Sequence, residues 1–240
     1  MRSIAQGIVT VFVLVQLSQA SVVVSHSGSS DPCMESPPWY GGGYTWPVND
    51  NGTPAWKMVS GSYRGTTYSY DPSPADMSDP DGWTMTVRVR VVNSEDYSYR
   101  GYGVAFGVYS QTNYFLLGLV GAEEDPQADD GIWLYTGGGF IPYYLMDTAS
   151  SYHTYQLAYR PQDEVCSVFV DGARVGDVPA LASSGGQLIG FGAASGGATS
   201  DSNWNYVAFE TGQHVVPEPS TLALLGLGAL ALLAWKYRRP

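Results

Sequence analysis

Carboxylates are the first residues that could do chemistry. Glu123-Glu124-Asp125-Pro126-Gln127-Ala128-Asp129-Asp130 gathers five of them in eight positions. Clustered oxygens suit a hard cation, and calcium takes about 6–8 of them, so Glu123, Asp125, Asp129 and Asp130 are candidate calcium ligands. The spacing is not that of an EF-hand loop, and acidic runs beside a proline also occur simply as solvated loops. The three histidines, His26, His153 and His214, offer no ligand set: two lie towards the ends of the chain, and His153 heads a strand as a surface or hydrogen-bonded residue. No cysteine is partnered by histidine, no Gly-x-Ser-x-Gly elbow occurs, and no glycine run opens a helix to cradle a phosphate. Catalysis is therefore not expected.

Aromatic side chains supply the other candidate chemistry. The chain has 18 tyrosines and 7 tryptophans. Flat apolar rings beside Asp or Asn acceptors can stack on sugars, and the candidates are Trp39, Tyr40, Tyr44, Trp46 and Trp133, the last beside Asp129-Asp130-Gly131. The competing expectation is that these rings pack into the core, since Tyr and Trp are good strand residues. Cys33 and Cys166 are the two cysteines, expected either as one long-range disulfide or as two buried free thiols. Asn51-Gly52-Thr53 fits a glycosylation acceptor.

The elements that must hold these residues are strands. Trp83-Thr84-Met85-Thr86-Val87-Arg88-Val89-Arg90-Val91 alternates strictly, which puts Trp83, Met85, Val87, Val89 and Val91 on one face of a half-buried strand. Further strands are expected over 103–109, 114–120, 131–135, 152–159, 165–170, 187–193 and 204–210. Asp171-Gly172 between two apolar runs predicts a two-residue hairpin. No helix and no repeat is visible in the body, so many short antiparallel strands imply a sandwich or jelly roll. Residues 21–82 form a Gly-, Pro- and aromatic-rich leader with the first strands, and 83–212 the core of the same β domain.

Both ends read as addresses rather than fold. Arg2, an apolar stretch over 8–17 and Ser18-Gln19-Ala20 predict a signal peptide over residues 1–20. At the other end come a linker over 213–220, an apolar run over 221–235 and the basic tail 236–240. That run predicts a short transmembrane helix with its basic end cytoplasmic. Four of the 11 basic residues and one of the 22 acidic residues, Glu218, lie in these ends, so residues 21–216 carry 7 against 21, a net charge of −14. Nucleic acid needs a basic patch and is excluded as a partner; a neutral polysaccharide or a divalent cation suits this body better.

Pro217-Glu218-Pro219, the leucine- and glycine-rich run after it and the terminal Lys236-Tyr237-Arg238-Arg239 resemble the PEP-CTERM sorting signal. The resemblance implies that a membrane protease of the exosortase type reads the triad, removes the helix and passes the protein to the cell surface or extracellular matrix of an exopolysaccharide-making bacterium. The prolines fit that use, because they fix φ and leave an extended, accessible peptide.

Within the body, Tyr152-His153-Thr154-Tyr155-Gln156-Leu157, then Val168-Phe169-Val170-Asp171-Gly172-Ala173-Arg174-Val175, then Trp204-Asn205-Tyr206-Val207-Ala208-Phe209-Glu210 resemble concanavalin A-like, laminin G-like jelly rolls. The resemblance implies an all-β sandwich of two curved antiparallel sheets, on which sugar binding, glycan cleavage and adhesion all occur. Its glucanases carry Glu-x-Asp-x-x-Glu on one strand; here Ala128 replaces the final Glu, and Pro126 disfavours a central strand. The expectation is a non-enzymatic, exported surface protein that holds exopolysaccharide, with calcium as an optional cofactor. A glycan hydrolase and a purely structural matrix protein are the alternatives.

Overall fold

The computed structural model describes residues 20–61, 65–95, 103–121, 130–183, 185–193 and 199–212. Residues 1–19 of the expected signal peptide, the sorting triad, the terminal helix and the basic tail lie outside these residues, as do Glu123, Asp125 and Asp129. Among the described residues no helix is long and apolar enough to cross a membrane.

Sixteen strands follow in order: β1 Ser21–His26, β2 Tyr40–Gly42, β3 Tyr44–Asp50, β4 Thr53–Ser60, β5 Thr66–Tyr70, β6 Trp83–Glu95, β7 Val104–Tyr109, β8 Asn113–Val120, β9 Gly131–Tyr135, β10 Phe140–Leu145, β11 His153–Arg160, β12 Val165–Val170, β13 Ala173–Pro179, β14 Leu181–Ala182, β15 Leu188–Ala193 and β16 Thr199–Thr211. They form two eight-stranded sheets. The first has the order β13-β12-β11-β6-β16-β4-β3, with β1 also paired to β16; the second has the order β10-β9-β8-β7-β15-β5-β2, with β14 on β8. The pairings are antiparallel, so this is a jelly-roll sandwich of two antiparallel sheets. The last strand, β16, lies in the middle of the first sheet. It takes β6 along one side and β4 followed by β1 along the other.

Alternation behaves as expected on β6, where Met85, Val87, Val89 and Val91 are fully buried and Trp83 nearly so. The strand runs on to Glu95 because β16 continues to pair with it. Asp171 and Gly172 both have positive φ, 49° and 83°, as a two-residue hairpin of this hand requires. Asn51 and Gly52 do the same between β3 and β4, with φ of 53° and 88°. The Asn51-Gly52-Thr53 acceptor pattern thus lies at an exposed hairpin turn. The leader is more ordered than its composition suggests: residues 21–82 supply β1 to β5, in both sheets. One short helix, α1 Pro74–Met77, was not expected. A reciprocal Ser73–Asp76 capping box starts it and Met77 anchors it in the core, which lets a single turn persist among turn residues.

The expected disulfide is overturned: Cys33 and Cys166 are both free. Cys33 is exposed in a 3-10 turn over Pro32–Met34, its thiol 3.7 Å from the Gly41 carbonyl on edge strand β2. Cys166 is buried on β12, towards the other edge of the sandwich. β12 lies near one edge of the first sheet and β2 is the last strand of the second, whereas a disulfide needs Cα atoms within about 7 Å.

Trp39 is also a correction. Only 1% of its surface is exposed, its Nε1 donates to the Ser25 carbonyl, and its ring meets Phe191 edge-on at 4.9 Å. It joins β1 to the core and presents no face to a ligand. His26 packs beside it, stacked on Phe191 and bonded through Nδ1 to Glu35 Oε1 at 3.0 Å. Burial pushes the His26 pKa down, against the opposing pull of Glu35 and of nearby Asp31. The unfolded chain therefore binds this proton more readily than the folded one, and stability falls as pH drops below the ordinary histidine value of about 6.5. Melting curves between pH 7 and pH 5 should show this decline, and the His26→Gln variant should show a flatter slope over the same window.

Candidate functional site

The inner faces of both sheets are filled, so function has to lie on an outer face or at an end. In the second sheet the outward positions are unusually bare. β15 presents Leu188, Gly190 and Gly192; β7 presents Ala105, Gly107 and Tyr109; β8 presents Tyr114, Leu116 and Gly118. Their inward neighbours Ile189, Phe191, Phe106, Val108, Phe115, Leu117 and Leu119 are all buried. Glycine packs poorly in strand interiors and often marks close approach by another backbone or a ligand.

Register aligns these bare positions into a trough that crosses the strands. One line runs Tyr40, Ser69, Gly190, Gly107, Leu116; the next runs Gly42, Thr67, Gly192, Ala105, Gly118, Trp133. On the β8–β9 side the second line is covered by Trp133, Tyr114 and Tyr135, which pack over Ala105 and Leu116, so the open part lies over β5, β15 and β7 with the edge of β8. The central part is a pocket of about 210 Å³ lined by Thr67, Ser69, Ala105, Tyr109, Leu116, Leu188 and the glycine floor, none of them charged. Gly107 is required by its surroundings, since a Cβ there would sit 2.5 Å from the Phe115 carbonyl oxygen. Gly190 is not: its nearest neighbour would be the Tyr68 carbonyl at an ordinary 3.6 Å. The openness at Gly190 is thus a property of the surface, free of any backbone constraint.

Aromatic rings wall one half of this trough. Tyr109 stacks on Tyr114 at 5.2 Å, Tyr114 meets Tyr135 at 5.9 Å, and Tyr135 meets Phe140 at 5.0 Å, a ladder across β7 to β10. Trp133 packs half-buried against the outer cluster of Ala105, Leu116 and Phe140. At the far edge Tyr40 is 61% exposed. Burial raises the Tyr114 hydroxyl above its usual pKa, so it stays a neutral donor at any physiological pH.

Two of the proposed sugar-stacking residues lie elsewhere. Tyr44 and Trp46 are exposed on β3, on the outer face of the first sheet. That face is already engaged with itself. Arg90 holds Asp50 by two hydrogen bonds of 2.7 and 2.8 Å, and Asn203 Nδ2 donates to the same carboxylate at 2.9 Å. Lys57 lies 5.8 Å over the Trp46 ring and pairs with Asp201 at 2.6 Å. Burial works against ionising Asp50, but the bonds from Arg90 and Asn203 outweigh it and keep its pKa below the usual carboxylate range. So the five aromatics separate: Tyr40 and Trp133 lie on the outer face of the second sheet to either side of the pocket, Tyr44 and Trp46 sit on the outer face of the first sheet, and Trp39 is in the core.

Of the calcium candidates, only Asp130 is described; it is half-buried and its carbonyl accepts the Met146 amide at 3.1 Å. Among the described residues no three His, Cys, Asp or Glu side chains converge. His153 is hydrogen-bonded, its Nδ1 2.7 Å from Asp171 Oδ2. Sequence reasoning missed Gly107, Tyr109, Tyr114, Tyr135 and Gly190. The signal was present as glycine or alanine at every second place, in Ala105-Phe106-Gly107 and Gly190-Phe191-Gly192.

The carboxyl-terminal region, residues 215–239, matches the PEP-CTERM protein-sorting motif. The chain carries a PEP-CTERM sorting signal. This signal marks an exported, membrane-processed protein and implies processing by an exosortase. No curated protein sequence matches the chain. Among solved structures, the sandwich of this chain is similar to a carbohydrate esterase from the Shiga toxin-encoding bacteriophage phi24B, at 13% identity and a TM-score of 0.61, covering 81% of this chain and all of the other. It is also similar to domain 4 of the extracellular GH43 arabinanase AbnA from Geobacillus stearothermophilus, solved with arabinotriose, at 11% identity and a TM-score of 0.52, covering 81% of this chain and 94% of the other. At such identities the likeness establishes the jelly-roll fold.

Proposed function

We propose that this is a non-catalytic surface protein that holds a neutral polysaccharide in the trough of the second sheet after export through its PEP-CTERM signal. The observation that carries the reading is the uncharged groove with a glycine floor and a tyrosine wall, open across several strands. A polymer of sugars can lie flat on such a floor, its apolar ring faces on Tyr109 and Leu188 and its hydroxyls beside Thr67 and Ser69. Among the lining residues there is no carboxylate, which supports binding over hydrolysis, because glycoside cleavage uses a carboxylate pair. The solution of AbnA domain 4 with arabinotriose is in keeping with a glycan on this fold, though fold alone does not choose a ligand.

Calorimetric titration of the purified chain with neutral glucans, with and without calcium, tests the reading. Saturable binding without turnover is expected; release of reducing ends would overturn the non-catalytic assignment, and the absence of binding to any glycan would overturn the whole proposal. Export makes a separate prediction. With Pro217, Glu218 and Pro219 replaced by alanine, the chain should accumulate uncut in the membrane fraction, while the unaltered chain leaves it; equal fractionation of the two would contradict the assignment.

A further inference from the structure

A second concavity lies at the end of the sandwich, immediately beside the trough. It holds about 290 Å³, space for roughly ten waters at about 30 Å³ each, and so exceeds a site for one structural water. Its floor is aromatic: Trp83 stacks on Tyr159 at 5.3 Å, and Phe115 meets both rings. Its rim is made of neutral hydrogen-bonding groups, principally Ser78, Gln111, Asn113 and Gln187.

Two features make this a preformed site. The β7–β8 turn is tied shut, with the Ser110 amide donating to the Asn113 carbonyl at 2.6 Å and the Asn113 amide donating to Ser110 Oγ at 2.9 Å, which holds Gln111 at the exposed tip. Across from it, α1 is fixed by its capping box and by buried Met77. The lining carries no charged side chain. An ion has no counter-charge here, and a purely apolar ligand would leave the carboxamides unsatisfied. A neutral ring with hydroxyl edges satisfies both floor and rim.

The chain itself joins this pocket to the trough. Tyr109 and Leu188 line the trough, while Ser110 and Gln187, the next residue in each case, line the end pocket. We infer that the end pocket takes a side-branch sugar from a polysaccharide whose backbone lies in the trough, so that the protein selects branched over linear neutral glycans. The inference rests on the trough reading above.

Titration with linear and side-branched β-glucan oligosaccharides of equal backbone length separates the two. The wild-type chain should bind the branched ligand about tenfold more tightly. Gln111→Ala combined with Gln187→Ala should bring the branched affinity down to the linear value and leave linear binding and the melting temperature unchanged, whereas Gly190→Leu should remove both. Linear binding with no preference for branches, or a preference that survives the double substitution, overturns the inference and leaves the trough standing. Binding of neither glucan by the wild type overturns both.

Discussion

Gly190→Leu should abolish polysaccharide binding while leaving the protein folded. Its added Cβ meets only the Tyr68 carbonyl, at 3.6 Å, so an alanine costs nothing sterically and a leucine directs its branched end into the trough between Ser69 and Gly107. The side chain then occupies the floor on which the sugar rings would rest. A loss of at least about thirtyfold in affinity is expected, equal to roughly 2 kcal/mol. The melting temperature should stay within about 2 °C of wild type, because a branched aliphatic residue is no worse than glycine in a strand. Gly190→Ala should lie between. Retention of full affinity by the leucine variant, with a native melting curve, would move the binding site away from this face.

The very next residue should behave in the opposite way. Phe191 points inward and touches four rings: Trp39 at 4.9 Å, Trp204 at 5.0 Å, Tyr68 at 5.7 Å and His26 at 5.9 Å. It is 2% exposed. Replacing it with alanine removes the centre of that cluster, and truncations of this kind cost about 3–5 kcal/mol when neighbours cannot close the gap. These neighbours cannot: Trp39 is tied to the Ser25 carbonyl and Trp204 Nε1 to Ser202 Oγ at 2.9 Å. For a domain of this size the melting temperature should fall by about 6–20 °C. Glycan affinity of the fraction that remains folded should be nearly unchanged, since Phe191 fills the far side of the sheet from the trough. A loss of only 1–2 °C would mean that the aromatic cluster is not the keystone of the core.

This contrast also explains what could be read from the chain and what could not. β6 was legible because a strand with one wet face and one dry face alternates in the letters themselves. The strands of the second sheet were legible as strands, yet their outer face was not legible as a site, because a trough is composed of what is missing. Gly107 and Gly190 lie 83 positions apart and become neighbours only through register, which no local pattern encodes. Trp39 and Tyr40 sit side by side in sequence, and one enters the core while the other faces solvent; composition treats them alike, and only strand phase separates them. The cysteine pairing failed for a similar reason: an even count is a statement about number, while a disulfide depends on proximity.

The central place of β16 carries a consequence for timing. Its neighbours β1, β4 and β6 are all made earlier, and each needs this final strand to complete its hydrogen bonding. Nonlocal pairing of this kind folds slowly, and here it cannot begin in earnest until residue 211 has emerged. For an exported chain, the sheet therefore closes only when the strand immediately ahead of its own sorting label is in place.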